Sequence, residues 1–209
     1  MKIKHLVGAA LITSGVALLA TAGFLWYRND TEDRNAVEFA TEQLPKVQAV
    51  IAERKAQYND DSIQDELTEL VIGTQETESP VVEIDGEGYL GILTLPSVDW
   101  ETPILETWNA EQLKIAPCRY FGSPATNDLV IAGHNYKSSF GKLHSMHIGD
   151  TVFFTDMNGK RYSYTVREIE VLDGTAVQPM IVSDWDLSLY TCTYGGKQRL
   201  TVRCNQLQE

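Results

Sequence analysis

A run of 22 residues, Leu6 to Tyr27, carries no formal charge and consists mostly of Leu, Ala, Val, Ile and Gly. As a helix it would be about 33 Å long, enough to cross a bilayer core. A water-soluble core helix is seldom apolar all round, so the run predicts a membrane segment. Lys2 and Lys4 precede it, whereas Asp30, Glu32 and Asp33 follow it beyond Arg28. The positive-inside bias then predicts a cytoplasmic N-terminus and an exported remainder, with Trp26 and Tyr27 at the outer interface. Ala20-Thr21-Ala22 has the small-x-small look of a signal-cleavage site, but Phe24, Leu25 and Trp26 continue the apolar run past it. An uncleaved single-pass anchor is therefore favoured over a removed leader. Residues 1–29 are read as cytoplasmic tip and anchor.

The remaining length suits one substantial core, and a hydrophobic fraction of 43% is ordinary for a folded chain. The whole protein has 17 basic and 29 acidic residues, a net −12; removing Lys2, Lys4 and Arg28 leaves 14 against 29, or −15, for residues 30–209. A surface of that sign disfavours nucleic acid as a partner. The three cysteines are too few for a disulfide scaffold, and their odd number leaves at least one thiol free. An exported free thiol needs a reason, because such compartments favour oxidation.

Residues 36–58 read as a helix, with Val37, Ala40, Leu44, Val47 and Ile51 on one face and Pro45 as a kink or broken start. Ile63, Leu67, Leu70 and Val71 suggest a second short helical piece, so residues 30–80 are read as a helical stalk or N-terminal layer. From about Val81 the pattern changes to short strands. Tyr89 to Leu95, Leu129 to Ala132, Thr151 to Thr155, Arg161 to Val166 with its extension Glu168 to Leu172, Leu187 to Cys192 and Leu200 to Cys204 are the candidates, and Asn158-Gly159 marks a hairpin. No strand-then-long-helix rhythm appears. The expected fold of residues 81–209 is mainly β, a closed or nearly closed antiparallel barrel with short helices.

A two-residue turn at Gly195-Gly196 would make paired residue numbers sum to 391. That register sets Cys192 opposite Arg199, Leu189 opposite Val202, Leu187 opposite Cys204, Ser188 opposite Arg203 and Tyr190 opposite Thr201. Apolar rungs separate from polar ones, which supports the register. It also brings a thiol beside a guanidinium, a neighbour that favours the nucleophilic thiolate. Cys204 shares a face with Leu200 and Val202 and reads as structural; Cys118 reads as packed. Of the four histidines, His134 ends the apolar run Leu129 to Ala132, where an imidazole at a sheet rim can transfer protons. A structural imidazole is the ordinary alternative. His144 and His147 hint at a metal pair but lack a ligand-spaced partner cluster.

Three ordered strings then carry a resemblance. Asp128-Leu129-Val130-Ile131-Ala132-Gly133-His134-Asn135, followed by Phe140-Gly141-Lys142-Leu143, resembles the histidine motif of sortases, the membrane-anchored cysteine transpeptidases of Gram-positive surfaces. Ser188-Leu189-Tyr190-Thr191-Cys192 resembles their Thr-Leu-x-Thr-Cys nucleophile motif, with Ser188 in place of Thr. Arg199-Leu200-Thr201-Val202-Arg203 resembles the strand bearing their arginine, and Tyr89 to Pro96 their opening strand. The interval from Cys192 to Arg199 is short for the family, so the loop there is reduced, and Arg203 is a rival for the arginine role.

The resemblance implies that Cys192 attacks the Thr-Gly carbonyl of a sorting signal like Leu-Pro-x-Thr-Gly. It implies that His134 serves the departing and incoming amines and that Arg199 binds the signal and stabilises the oxyanion. Thr191, Ser188 and Asn135 are the implied substrate-binding residues. The implied partners are secreted proteins with a C-terminal sorting signal, an amine of peptidoglycan precursor or pilin, and the cell membrane. No organic cofactor is implied; calcium stimulates some members, but the acidic residues here show no twelve-residue calcium-loop pattern. Gly133-His134-Asn135-Tyr136 and a two-helix leader lean to class B, with a class D-like assignment open. The leader has no Asp-Pro-aromatic lid of the kind found in many pilin-polymerising members. Two other readings stand beside this one: an exported thiol protease of another kind, and a catalytically silent tethered binding module. The first would want its cysteine on a helix N-terminus rather than a strand, and the second would have lost Cys192, His134 or Arg199.

Overall fold

The computed structural model describes residues 2–65 and 79–207. Its first element, α1 (Lys2–Asp65), is a single helix that carries both the apolar segment and the stalk. Along the apolar segment Leu11, Ile12, Val16, Leu18, Leu19, Phe24 and Trp26 are exposed, and among the described residues this is one helix long and apolar enough to cross a membrane. Pro45 does not end it. Pro45 and Thr41, whose carbonyl loses its backbone partner there, are both exposed, so water can replace the missing bond. Leu67, Leu70 and Val71, the greater part of the expected second helical piece, lie outside the described residues.

From Ala36 onward α1 becomes amphipathic. Ala36, Gln43, Val47 and Ile51 are buried, and Ala40 and Leu44 half-buried. Val37, expected on that face, points to solvent because the buried stripe begins one residue earlier. The stripe packs on the outside of a barrel made from β2 (Glu87–Leu95), β3 (Trp100–Leu105), β4 (Cys118–Phe121), β5 (Leu129–Gly133), β6 (Thr151–Asp156), β7 (Arg161–Asp173), β8 (Leu187–Cys192) and β9 (Gln198–Gln206), with β1 (Val82–Ile84) as an added hairpin arm. Among the described residues the strand order is β1-β2-β3-β4-β5-β8-β9-β7-β6, and β6 pairs back onto β2 to close the ring.

The barrel is mainly antiparallel, as expected, but two seams are parallel, β3–β4 and β5–β8. The first is a single rung, Leu105 to Cys118, which explains how β3 tolerates Pro103: little of its outer edge needs a backbone donor. Leu90, Leu93, Leu129, Ile131, Leu187, Leu189, Val202 and Cys204 fill the interior with Phe140 and Phe154. A second cluster outside the wall joins Val47 and Ile51 of α1 to Tyr89, Ile92, Leu105, Cys118 and Met157. Strand alternation produces both: after an irregularity between Tyr89 and Gly91, Ile92 faces the helix and Leu93 the interior. Arg54 of α1 adds a polar tie, donating from Nε and Nη2 to Asn158 Oδ1 at 3.1 and 2.7 Å.

Asn158-Gly159 does form a hairpin, in a loop that also includes Met157. Asp156 N–H donates to Lys160 O, and the Asp156 carboxylate accepts from the N–H groups of Asn158 and Lys160.

Candidate active site

The hairpin of β8 and β9 has the expected register throughout: Leu187 to Cys204, Ser188 to Arg203, Leu189 to Val202, Tyr190 to Thr201, Thr191 to Leu200 and Cys192 to Arg199. The turn itself is wider than the expected two residues: the loop runs over 194–197, with Gly196 N–H donating to Thr193 O at 2.9 Å, and the register survives because the loop stays centred on Gly195 and Gly196, whose φ of 108° and 73° suit glycine. One more backbone rung, Thr193 N–H to Gln198 O at 3.0 Å, closes the ladder just above the thiol.

On the other side of β8 lies β5, in parallel pairing that ends with Gly133 beside Thr191. Continuing that register sets His134 next to Cys192. Three adjacent strands, β5, β8 and β9, therefore deliver imidazole, thiol and guanidinium to one end of the barrel. Thr191 locks the first two: its hydroxyl donates to Gly133 O at 2.8 Å. Gly133 is required by the packing beneath, since a β-carbon there would stand 2.4 Å from the Phe140 ring. Phe140 belongs to the 3₁₀ helix Phe140–Ser145 that follows the histidine loop.

Cys192 is half-buried, whereas Cys118 and Cys204 are buried. Burial raises the Cys118 thiol to about 12, with Glu87 adding to the shift, and its Sγ donates to Ala116 O at 3.3 Å. Burial pushes Cys204 still higher. Neither supplies a thiolate, in keeping with the packed roles expected of them. Burial lowers the His134 pKa below its ordinary value; Glu32 opposes that shift and Lys114 adds to it. The imidazole lies over the Tyr136 ring, with centroids 4.7 Å apart and planes 23° apart.

Arg199 is partly exposed, and its Nη1 donates to the carbonyls of Gly196 and Gln198 at 3.1 and 3.2 Å. Arg203 is placed differently. It is closed beneath α3 (Val177–Ile181), donating to Glu170 Oε1, Ser188 Oγ and Pro179 O, each at 2.8 Å. Ser188, expected at the substrate, is 1% exposed and its hydroxyl accepts from Arg203, so it lies under the guanidinium rather than at the open end. Thr191 is equally buried and can act only through its bond to Gly133. Asn135, half-buried, directly follows His134.

His144 stacks on the exposed Tyr194 ring at 4.8 Å, and His147 is exposed. Among the described residues no group of three or more His, Cys, Asp or Glu side chains is gathered as a metal site. The sequence reading missed an aromatic row beside the thiol. Tyr190 meets Tyr120 edge to face at 5.4 Å, and Tyr120 meets Trp108 at 5.7 Å. The pairing of Tyr190 with Ala132 was the signal available, because a small residue on β5 leaves room for rings on the flanking strands to meet across it.

The sortase domain family model matches residues 93–207, more than half of the chain and the whole of the end built from β5, β8 and β9. Among solved structures, sortase C of Streptococcus pneumoniae is similar at 18% identity, with a TM-score of 0.56 over 82% of this chain and 97% of that one. Clostridium perfringens Sortase D5 transpeptidase gives 17% identity and a TM-score of 0.56 over 84% and 99%. Clostridium perfringens sortase C, solved with the C-terminal cell wall sorting motif, gives 21% and 0.54 over 83% and 100%. No curated protein matches the chain. At these identities the structures show the shared barrel, and it is the match over residues 93–207 that places the protein: the chain belongs to the sortase family of cysteine transpeptidases.

Proposed function

We propose that the protein is a membrane-tethered transpeptidase that cleaves a Leu-Pro-x-Thr-Gly-like signal between Thr and Gly and transfers the acyl part to an amine. The observation that carries this reading is the delivery of His134, Cys192 and Arg199 by three adjacent strands to one barrel end. The Cys192 thiol passes its proton to the neutral His134 imidazole, and the thiolate attacks the threonine carbonyl carbon. Arg199 is the cation at the rim where the oxyanion develops. As the C–N bond breaks, the imidazolium gives its proton to the departing glycine amine. Burial suits the ring to this step, because an imidazolium that is costly to keep surrenders its proton readily.

The thioester on Cys192 is then attacked by an acceptor amine. His134 takes the amine proton and returns it to the Cys192 sulfur as the new amide forms. Thr191 serves by fixing the two strands, and Asn135 by meeting the peptide backbone beside the imidazole. The donors are secreted proteins carrying the signal, and the acceptor is an amine of peptidoglycan precursor or pilin. The apolar part of α1 anchors the chain in the cell membrane with Lys2 and Lys4 inside and the barrel outside, which concentrates the thiol where exported substrates emerge.

The full-length chain in detergent micelles, incubated with Leu-Pro-x-Thr-Gly and Asn-Pro-x-Thr peptides and a glycine-based amine, tests this by intact-mass spectrometry. A thioester on Cys192 that the amine resolves is the expected result. Absence of any adduct from a folded, reduced protein would favour a silent binding module. Hydrolysis indifferent to the threonine position would favour a general thiol protease.

A further inference from the structure

We propose that the turn of α1 directly beyond its apolar segment is part of the catalytic apparatus, with Glu32 and Asp33 acting as positioning residues that hold the His134 loop through Tyr136 and Ser138. The Tyr136 hydroxyl donates to Glu32 Oε2 at 2.8 Å. One turn of loop later, the Ser138 hydroxyl and N–H both donate to Asp33 Oδ1. These bonds span more than a hundred residues of sequence, and they join the anchor helix to the segment that carries the imidazole.

The coupling to His134 is the ring stack. Tyr136 is 4% exposed, so its ring has little room to move and its hydroxyl needs a partner, which Glu32 supplies. The imidazole lies flat on that ring at 4.7 Å, so fixing the Tyr136 ring fixes the plane on which His134 rests. The Tyr136 carbonyl is held in turn by the N–H groups of Ser139 and Gly141 at 3.0 and 2.9 Å. The charged groups that act on the imidazole come from two helices. They are Glu32 on α1, which favours imidazolium and has Arg28 3.9 Å from it, and Lys114 on α2 (Gln112–Ile115), which disfavours it.

Position along α1 adds a consequence. Glu32 is five residues beyond Tyr27, about 7.5 Å along the helix axis, close to the roughly 5–8 Å depth of one headgroup layer. The histidine loop is thereby tied to α1 at the height of the membrane surface, where a lipid-linked amine would be presented.

The kinetic part of the test rests on the transpeptidase reading, and the spectroscopic part does not. In full-length protein in micelles, Glu32→Gln, Tyr136→Phe and the double variant are compared with Glu38→Gln, a neutralisation about one and two-thirds turns along the same helix. The His134 imidazole signal, identified by its loss in His134→Gln, is titrated by NMR. Glu32→Gln should lower the imidazole pKa, since it removes a negative charge that favours imidazolium, and Glu38→Gln should not. With a Leu-Pro-x-Thr-Gly peptide and triglycine, each single variant should lower kcat about tenfold at unchanged KM, the scale of one hydrogen bond to a charged group. The double variant should be no worse than either single one, because both cut one link. An unmoved His134 titration in Glu32→Gln would overturn the proposal, as would additive losses that track the unfolding midpoint. If wild-type protein turns over no peptide, the transpeptidase reading fails and the titration still decides the linkage.

Discussion

The Thr191 hydroxyl donates to the Gly133 carbonyl at 2.8 Å, so the residue before Cys192 is bonded to the residue before His134. Both are buried, and they stand opposite one another at the last rung of the parallel seam between β5 and β8. The bond fixes the relative height of thiol and imidazole, which backbone pairing alone would leave free to fray at a strand end. Thr191→Val keeps the shape and removes the donor. It should lower kcat about tenfold, for loss of roughly 1–1.5 kcal/mol of positioning. Thr191→Ser should retain most activity, and steady-state transpeptidation by both variants checks the pair.

On the proposed mechanism, substitution of the two arginines should separate chemistry from stability. Arg199→Ala should leave the unfolding midpoint near wild type and cut kcat/KM about 10²–10³-fold, the scale of a lost oxyanion partner. Arg203→Ala should reverse that pattern. It strips Glu170, Ser188 and Pro179 of a shared buried donor and should cost about 3 kcal/mol in denaturant unfolding. Equal effects on both readouts in both variants would contradict this division.

The β8–β9 register was legible because two glycines mark the centre of the turn and alternation then leaves one solution for the apolar rungs, although the loop itself takes four residues rather than two. β1, β3 and β4 were not read. β1 is three residues long, although Asp85-Gly86 carried the turn signal, with φ of 53° and 86°. Pro103 interrupts β3, and β4 is the four residues Cys118–Phe121. Short or broken strands show too few alternations to stand out; the closed ring holds them in place through their neighbours. The bonds from Glu32 and Asp33 to the histidine loop had no local signal at all, since they arise only when α1 is laid along the barrel.

Gly133→Ala tests the close packing under the histidine. Its β-carbon would meet the Phe140 ring at 2.4 Å, and that ring is enclosed on all sides by the barrel core. Overpacking of this kind costs about 1–3 kcal/mol. The variant should unfold earlier and lose activity together. Gly133→Ala combined with Phe140→Leu should recover part of the midpoint, whereas no recovery would place the strain elsewhere.

The burial of His134 makes a pH-dependent contribution to stability with a definite sign. Above the unfolded value of about 6.5 the imidazole is neutral in both states and the contribution is at its full level. As the pH falls below that value the unfolded chain takes up a proton that the folded chain, with its lowered pKa, still refuses. The unfolded state then binds more protons, so stability declines until the folded pKa is passed, and below it the decline stops. Asp85 and Asp173, whose pKa values are lowered by hydrogen bonds from Lys46 and Thr175, act only below about pH 4 and do not overlap this window. Denaturant unfolding of wild type and His134→Gln between pH 7.5 and 5 reads the contribution directly. The wild-type curve should fall more steeply on acidification, and parallel curves would show that the imidazole titrates alike in both states.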